Sequence, residues 1–180
     1  MPTLSELIPD AGDRAGWKVD RITQACFGAQ TGVAAVPILF VRAADHTAGA
    51  AQVLDLCLPL AQAVEDHAVR ELTFTNGAGA QIVTAAWFAD YEGADGSRYL
   101  GAFVRVPIPP MFLDARPIGD LLKVAVEQLW TASMMFGRYI EFCQDNSTPP
   151  GCEPLRGREV VAARPADPFD VADEAGAKDD

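Results

Sequence analysis

Two histidines and four cysteines are among the side chains that could supply a general base or a nucleophile. His46 follows Asp45 at the end of a predicted strand, and with Cys57 or Cys26 it could form a nucleophile–base pair. No flanking signature accompanies such a pair, and the cysteines show neither a CxxC nor a Cys/His metal spacing. We therefore predict no catalytic residue and no metal site, and the chain leans away from being an enzyme.

Two further patterns resemble ligand sites but have the wrong context. Asp90, Glu92 and Asp95 lie in a predicted hairpin loop, without the alternating oxygen ligands of an EF-hand. The glycines of 77–79 lie between two predicted strands, whereas a pyrophosphate site needs a strand followed by a helix. We predict no cofactor.

Cys143 and Cys152 flank a loop that contains two prolines and a glycine. A disulfide between them is geometrically possible, and it would indicate an oxidising compartment. In a reducing cytoplasm all four cysteines would be free thiols, and the sequence leaves both alternatives open.

The composition favours one acidic domain. The chain has 180 residues, 49% of them hydrophobic, and a net charge of −11. This negative charge disfavours binding to nucleic acid and to anionic membranes, and it suits a basic partner. No apolar window is long enough to span a membrane and no signal peptide is recognisable, so we predict a cytoplasmic protein. We divide the chain into an N-terminal arm (1–16), one α+β domain (17–163) and an acidic disordered tail (164–180).

The predicted fold is α+β, with a largely antiparallel sheet packed by two helices. Asn76-Gly77 between apolar runs is typical of a hairpin turn. Pro59 should kink the first helix, and Pro117 suits the first turn of the second. The predicted strands lie near 36–43, 70–75, 80–89 and 98–108, and the predicted helices span 48–67 and 117–143.

The long helix 117–143 carries the main functional clue. At 100° per residue its charges share one narrow sector, opposite a continuous apolar face. The sides next to that sector are also apolar, so the helix needs cover on nearly all sides. Its own domain could provide that cover, or the flank could be a surface for a dimer or another partner. The candidate partner-binding residues are Val124, Trp130, Met134, Met135 and Phe142.

The leading hypothesis is a non-catalytic interaction protein, an acidic oligomeric adaptor or chaperone-like subunit that binds a protein partner or forms a homodimer. Its size, its acidity and a sheet closed by a C-terminal helix resemble small dimeric secretion chaperones, through element order over Val36 to Cys143 and without a motif. The alternative is a small enzyme or ligand-binding domain with an apolar pocket between the sheet and the long helix. The candidate pocket residues are Trp87, Phe103, Arg105, Tyr139 and His46.

Overall fold

The computed structural model describes residues 2–44, 52–78, 85–157 and 159–166. Its strands are β1 (Lys18–Arg21), β2 (Cys26–Val33), β3 (Val36–Ala44), β4 (Gln52–Gln62), β5 (Trp87–Glu92), β6 (Arg98–Ile108) and β7 (Glu153–Pro154). Its α-helices are α1 (Leu4–Ala15), α2 (Asp66–Ala78), α3 (Ala115–Asp145) and α4 (Glu159–Ala162), and a 3₁₀ turn at Pro110–Phe112 precedes α3.

One antiparallel sheet organises these elements. Six strands lie in the order β1-β2-β3-β4-β6-β5, and β7 pairs with the C-terminal end of β4. The α+β class, the antiparallel sheet and the long helix are therefore confirmed, as are the predicted strands 36–43 and 98–108. The predicted count of three to four strands is too low, because the described residues form seven.

The predicted kinked helix 48–67 is wrong, because its described part contains the central strand β4. Leucine occupies every second position from Leu54 to Leu60, and this period of two is the pattern of a strand with one face in the core. Pro59 lies where the register with β6 shifts, which is a position where a strand tolerates proline.

The predicted strand 70–75 is also wrong, since these residues lie inside α2. Asp66 places a negative charge in the first turn of that helix, where the helix dipole favours it. Ala68 and Leu72, four residues apart, are both buried in the core. The Asn76-Gly77 pair therefore belongs to the end of a helix. Within the predicted strand 80–89, residues 87–89 are confirmed as part of β5, which begins at Trp87. Residues 79–84 lie outside the described part.

The core lies between the sheet and the helices. The face of α3 that turns to the sheet includes Ile118, Leu122 and Leu129, all almost fully buried. Helix α1, in the segment predicted as an N-terminal arm, packs closely on α3: a Cβ on Gly119 would lie 2.9 Å from the carbonyl oxygen of Ala11. No helix in the described residues is long and apolar enough to cross a membrane. Residues 167–180 of the predicted acidic tail lie outside the described part.

Candidate functional site

The sheet face that points away from α3 carries two neighbouring rows of side chains. Successive side chains of a strand point to opposite faces, so residues next to the buried core leucines of β4 must lie on this second face. The strand register places Phe40, Cys57, Phe103 and Trp87 side by side across β3, β4, β6 and β5. We call this set the aromatic row.

Aromatic contacts extend this row toward the turn between β5 and β6. The rings of Trp87 and Phe103 stack with centroids 5.9 Å apart, and the Tyr91 ring meets Phe103 edge-on at 5.6 Å. Gly101 leaves room for them, because a Cβ there would lie 2.9 Å from the Tyr91 ring and 3.2 Å from the Cys57 sulfur. The row is therefore a packed cluster with a defined shape.

The second row is charged and consists of Arg42, Asp55 and Arg105, which are register partners on β3, β4 and β6. Arg105 donates two hydrogen bonds to the Asp55 carboxylate, at 2.6 and 3.0 Å. These bonds raise the pKa of the Arg105 guanidinium. The row holds two arginines and one aspartate.

A cavity of about 200 Å³ lies over both rows. Its further lining comes from Cys26 and from Pro165 and Ala166 near the C-terminal end of the described chain. Two hydrogen bonds hold that segment against the sheet. The Tyr91 hydroxyl donates to the Ala163 carbonyl at 2.7 Å, and the Ala166 amide donates to the Glu92 carbonyl at 2.9 Å. The cavity is smaller than the ~300–1,000 Å³ typical of small-molecule pockets.

Three of the five candidate pocket residues line this cavity, namely Trp87, Phe103 and Arg105. Tyr139 lies elsewhere, on the core side of α3, where its hydroxyl donates to the Pro150 carbonyl at 2.8 Å. His46 lies outside the described residues. The cavity is therefore on the sheet face opposite the long helix, and not between the sheet and that helix.

The sequence-based reasoning missed most of the residues from β3 and β4 that line the cavity. Asp55 and Cys57 alternate with the core leucines of β4, so the period of two already places them together on one face. Because this segment was predicted to be a helix, the shared face of Asp55 and Cys57 was not predicted. The pairing with Arg42 and Arg105 depends on strand register, which the sequence alone does not show.

Two of the titratable groups on this face are held in their neutral forms. Burial raises the pKa of the Cys57 thiol and of the Tyr91 hydroxyl that contacts it, so both groups are neutral at physiological pH. A neutral thiol is a poor nucleophile. The other histidine, His67, lies under the loop at Gly151 and contacts Glu65 at 3.3 Å.

Of the three acidic residues predicted to lie in a hairpin loop, Asp90 and Glu92 lie in β5, and Asp90 and Asp95 have structural partners. Asp90 accepts a hydrogen bond from Arg98 at 2.8 Å. Asp95 accepts from the Tyr99 hydroxyl at 2.7 Å and from the Ser97 amide at 2.9 Å, and these bonds lower its pKa. In the described part of the chain no group of three or more His, Cys, Asp or Glu side chains is placed to hold a metal ion. All four cysteines are buried free thiols, Cys143 and Cys152 included.

The outer surface of α3 is the second candidate site. Four of the five predicted partner-binding residues are exposed: Val124 by 55%, Trp130 by 46%, Met134 by 44% and Phe142 by 63%. Met135 differs, because it is partly buried against the core. The chain itself therefore covers Met135 and leaves the other four side chains open to solvent.

Comparison with protein-family models, with curated proteins and with solved structures finds no match to this chain.

Proposed function

We propose that this protein is a non-catalytic interaction protein, an acidic oligomeric adaptor or chaperone-like subunit of the cytoplasm. It binds a protein partner through the exposed apolar side chains of α3. The observation that carries the proposal is the exposure of Trp130 and Met134, which lie four residues apart and so on adjacent turns of one face.

These two side chains lie outside the hydrophobic core, and nearly half of each residue is exposed. The core face of α3 is complete without them, since Leu122, Leu129 and Phe136 already pack it against the sheet. Tryptophan and methionine are enriched in protein interfaces, and tryptophan is common among the residues that dominate binding energy. Exposed apolar groups that lie together and are rimmed by charge are typical of binding surfaces.

The charge of the chain narrows the class of partner. A net charge of −11 repels nucleic acids at long range. Charged residues of both signs, Lys123 and Glu141 among them, lie beside Trp130 and Met134 on the same helix face. An apolar centre with a mixed charged rim suits a protein partner.

The test is affinity capture from the native host with the tagged wild-type chain and with a Trp130→Ala/Met134→Ala variant. Both side chains lie outside the core, so we expect the variant to keep its thermal stability and to lose most of the specifically captured protein, by about tenfold or more. Quantitative mass spectrometry measures the loss. A Met111→Ala/Val161→Ala variant is the matched control, because it removes two exposed apolar side chains that lie outside α3. Equal capture by the wild type and the α3 variant would contradict the proposal.

A second candidate function is ligand binding in the cavity over the aromatic row. The observation in its favour is that stacked rings and an arginine line one cavity of about 200 Å³. Such a volume admits a benzene-sized ring. The ligand would be a small aromatic acid, with its ring against Trp87 and Phe103 and its carboxylate at Arg105.

Saturation-transfer NMR with benzoate, and with neutral benzamide as the paired probe, tests this candidate. We expect a benzoate signal that falls several-fold in Arg105→Ala, because the charge-assisted hydrogen bond is lost, and a weaker benzamide signal that the substitution leaves unchanged. Equal signals from the two probes, or none from benzoate, would remove this candidate function.

A further inference from the structure

Six exposed positions of α3 form one straight line along the helix. They are spaced alternately four and three residues apart, and all six are exposed. At 100° per residue they share a strip about 80° wide. We call this line the α3 seam: Lys123, Glu127, Trp130, Met134, Gly137 and Glu141.

Alternating spacings of four and three are the geometry by which one helix packs lengthwise on another. Side chains with this spacing stay on one side of a helix over several turns and interlock with the same pattern on a second helix. The seam covers about five turns of α3. A single helix of another molecule fits this surface better than an irregular loop does.

Gly137 supplies an independent observation. Glycine inside a helix costs roughly 1 kcal/mol relative to alanine, so an interior glycine needs a reason. Gly119 has one within the fold, because the Ala11 carbonyl of α1 approaches it closely. At Gly137 a Cβ would meet nothing within 4 Å. Room for the close approach of another molecule accounts for this glycine.

The residue types of the seam match themselves when the line is reversed. Lys123 and Glu141 lie at equal distances from Ala132, and so do Trp130 and Met134. Two copies of α3 packed antiparallel through the seam, with its midpoint between Trp130 and Met134 on the two-fold axis, would place each Lys123 opposite the partner's Glu141. Each Trp130 would lie against the partner's Met134.

The third pair completes the match. Glu127 falls opposite Gly137 of the other copy, where the missing side chain leaves space for a carboxylate. Arg138, the next residue, lies beside that space. Every position of the seam therefore meets an oppositely charged, apolar or open position, which is what a two-fold symmetric interface requires.

We propose that the α3 seam is a homodimer interface, in which a second copy of this chain packs its α3 antiparallel across a two-fold axis that passes between Trp130 and Met134. The inference rests on the proposed function, since it names the partner of that same surface. It leaves the cavity on the opposite face of the sheet free in both copies.

Light scattering and sedimentation of the purified chain over a concentration series test the dimer. We expect a mass of twice 19.2 kDa for the wild type. Met134→Asp should weaken association by about a hundredfold, because it buries an unpaired charge at the centre of the interface. Phe142→Asp is the matched control: it adds the same charge at an exposed apolar position of α3 outside the seam, and the dimer should persist. Circular dichroism verifies that both variants fold.

Charge reversal tests the antiparallel arrangement. Lys123→Glu or Glu141→Lys alone turns two symmetry-related attractions into repulsions, which should weaken the dimer about tenfold. Mixing these two variants should restore wild-type affinity as a heterodimer, because each altered charge then faces its opposite. In a parallel arrangement like charges would already face each other in the wild type, so neither single variant would weaken the dimer. An effect within one chain would weaken the single variants but would give no restoration in the mixture.

The inference is overturned if the wild type is monomeric throughout the series, if Met134→Asp dimerises as well as Phe142→Asp, or if the mixture stays as weak as its components. A monomeric wild type whose Trp130→Ala/Met134→Ala variant still loses its captured partner would overturn the dimer alone and leave the proposed function standing. A monomeric wild type whose capture is unchanged in that variant would overturn both.

Discussion

Leu129→Ala should lower the free energy of unfolding by about 2–5 kcal/mol, while Val124→Ala, five residues earlier on the same helix, should change it by less than about 0.5 kcal/mol. Leu129 is fully buried against the sheet, so removing its side chain leaves a cavity in the core. Val124 is more than half exposed, and alanine is the better helix former of the two. Urea denaturation followed by circular dichroism measures both changes.

The comparison tests which side of α3 faces the sheet. Val124 lies outside the α3 seam, so any self-association leaves the control unaffected. If both substitutions lower the free energy of unfolding by similar amounts, or if Val124→Ala lowers it more, the assignment of buried and exposed faces of α3 is wrong. The surface proposed for the second copy would then belong to the core.

The position of α3 was predictable because, in a helix packed on a core, apolar and charged residues separate onto opposite faces with a period of 3.6 residues. Its charges fall on one side, and Ile118, Leu122 and Leu129 fall on the other, as the structure has them. That pattern persists over 31 residues, and no competing period interrupts it. The sequence could not show that Met135 is partly buried while Phe142 is exposed. The burial of a side chain on the flank of a helix depends on which other elements pack beside that helix.

The central strand was not predictable to the same degree because two signals compete within it. Its apolar run is long enough for a helix, and Thr47 before it is a plausible N-cap. The alternation of leucines indicates a strand. However, β4 is buried on much of both faces, so apolar residues also occupy positions between the leucines and obscure the period of two. In α2 the opposite error arose, since the β-branched residues next to Leu72 favour a strand by propensity, whereas Leu72 itself is buried within a helix.

The cavity over the aromatic row depends on register, and register is a tertiary property. Trp87, Phe103 and Arg105 were candidates by residue type alone. Their meeting with Cys57 and Asp55 requires β4 to pair with β6, two strands that are separated in sequence by α2 and β5. Sequence patterns fix which residues share a face of one strand, but not which strand lies beside it.

Gly101→Ala should destabilise the protein by about 1–3 kcal/mol, although the same substitution usually strengthens a strand. The new methyl group would lie 2.9 Å from the Tyr91 ring, 3.2 Å from the Cys57 sulfur and 3.2 Å from the Phe103 ring. Tyr91 cannot easily swing away, because its hydroxyl is bound to the Ala163 carbonyl at 2.7 Å. The clash should therefore disturb the aromatic row and the attachment of the segment near Ala163 together.

Gly28→Ala is the matched control, since Gly28 lies on the same sheet face in register with Phe40. Its new methyl group would meet the end of the Ile22 side chain at 3.3 Å. Ile22 is exposed and free to shift, so the cost should stay below about 0.5 kcal/mol. Thermal or urea unfolding measures both variants, and near-ultraviolet circular dichroism reports the tyrosine environment. A Gly101→Ala variant as stable as Gly28→Ala, with an unchanged aromatic spectrum, would mean that the rings over Gly101 are loosely packed. The cavity would then lack the fixed walls that the ligand-binding candidate requires.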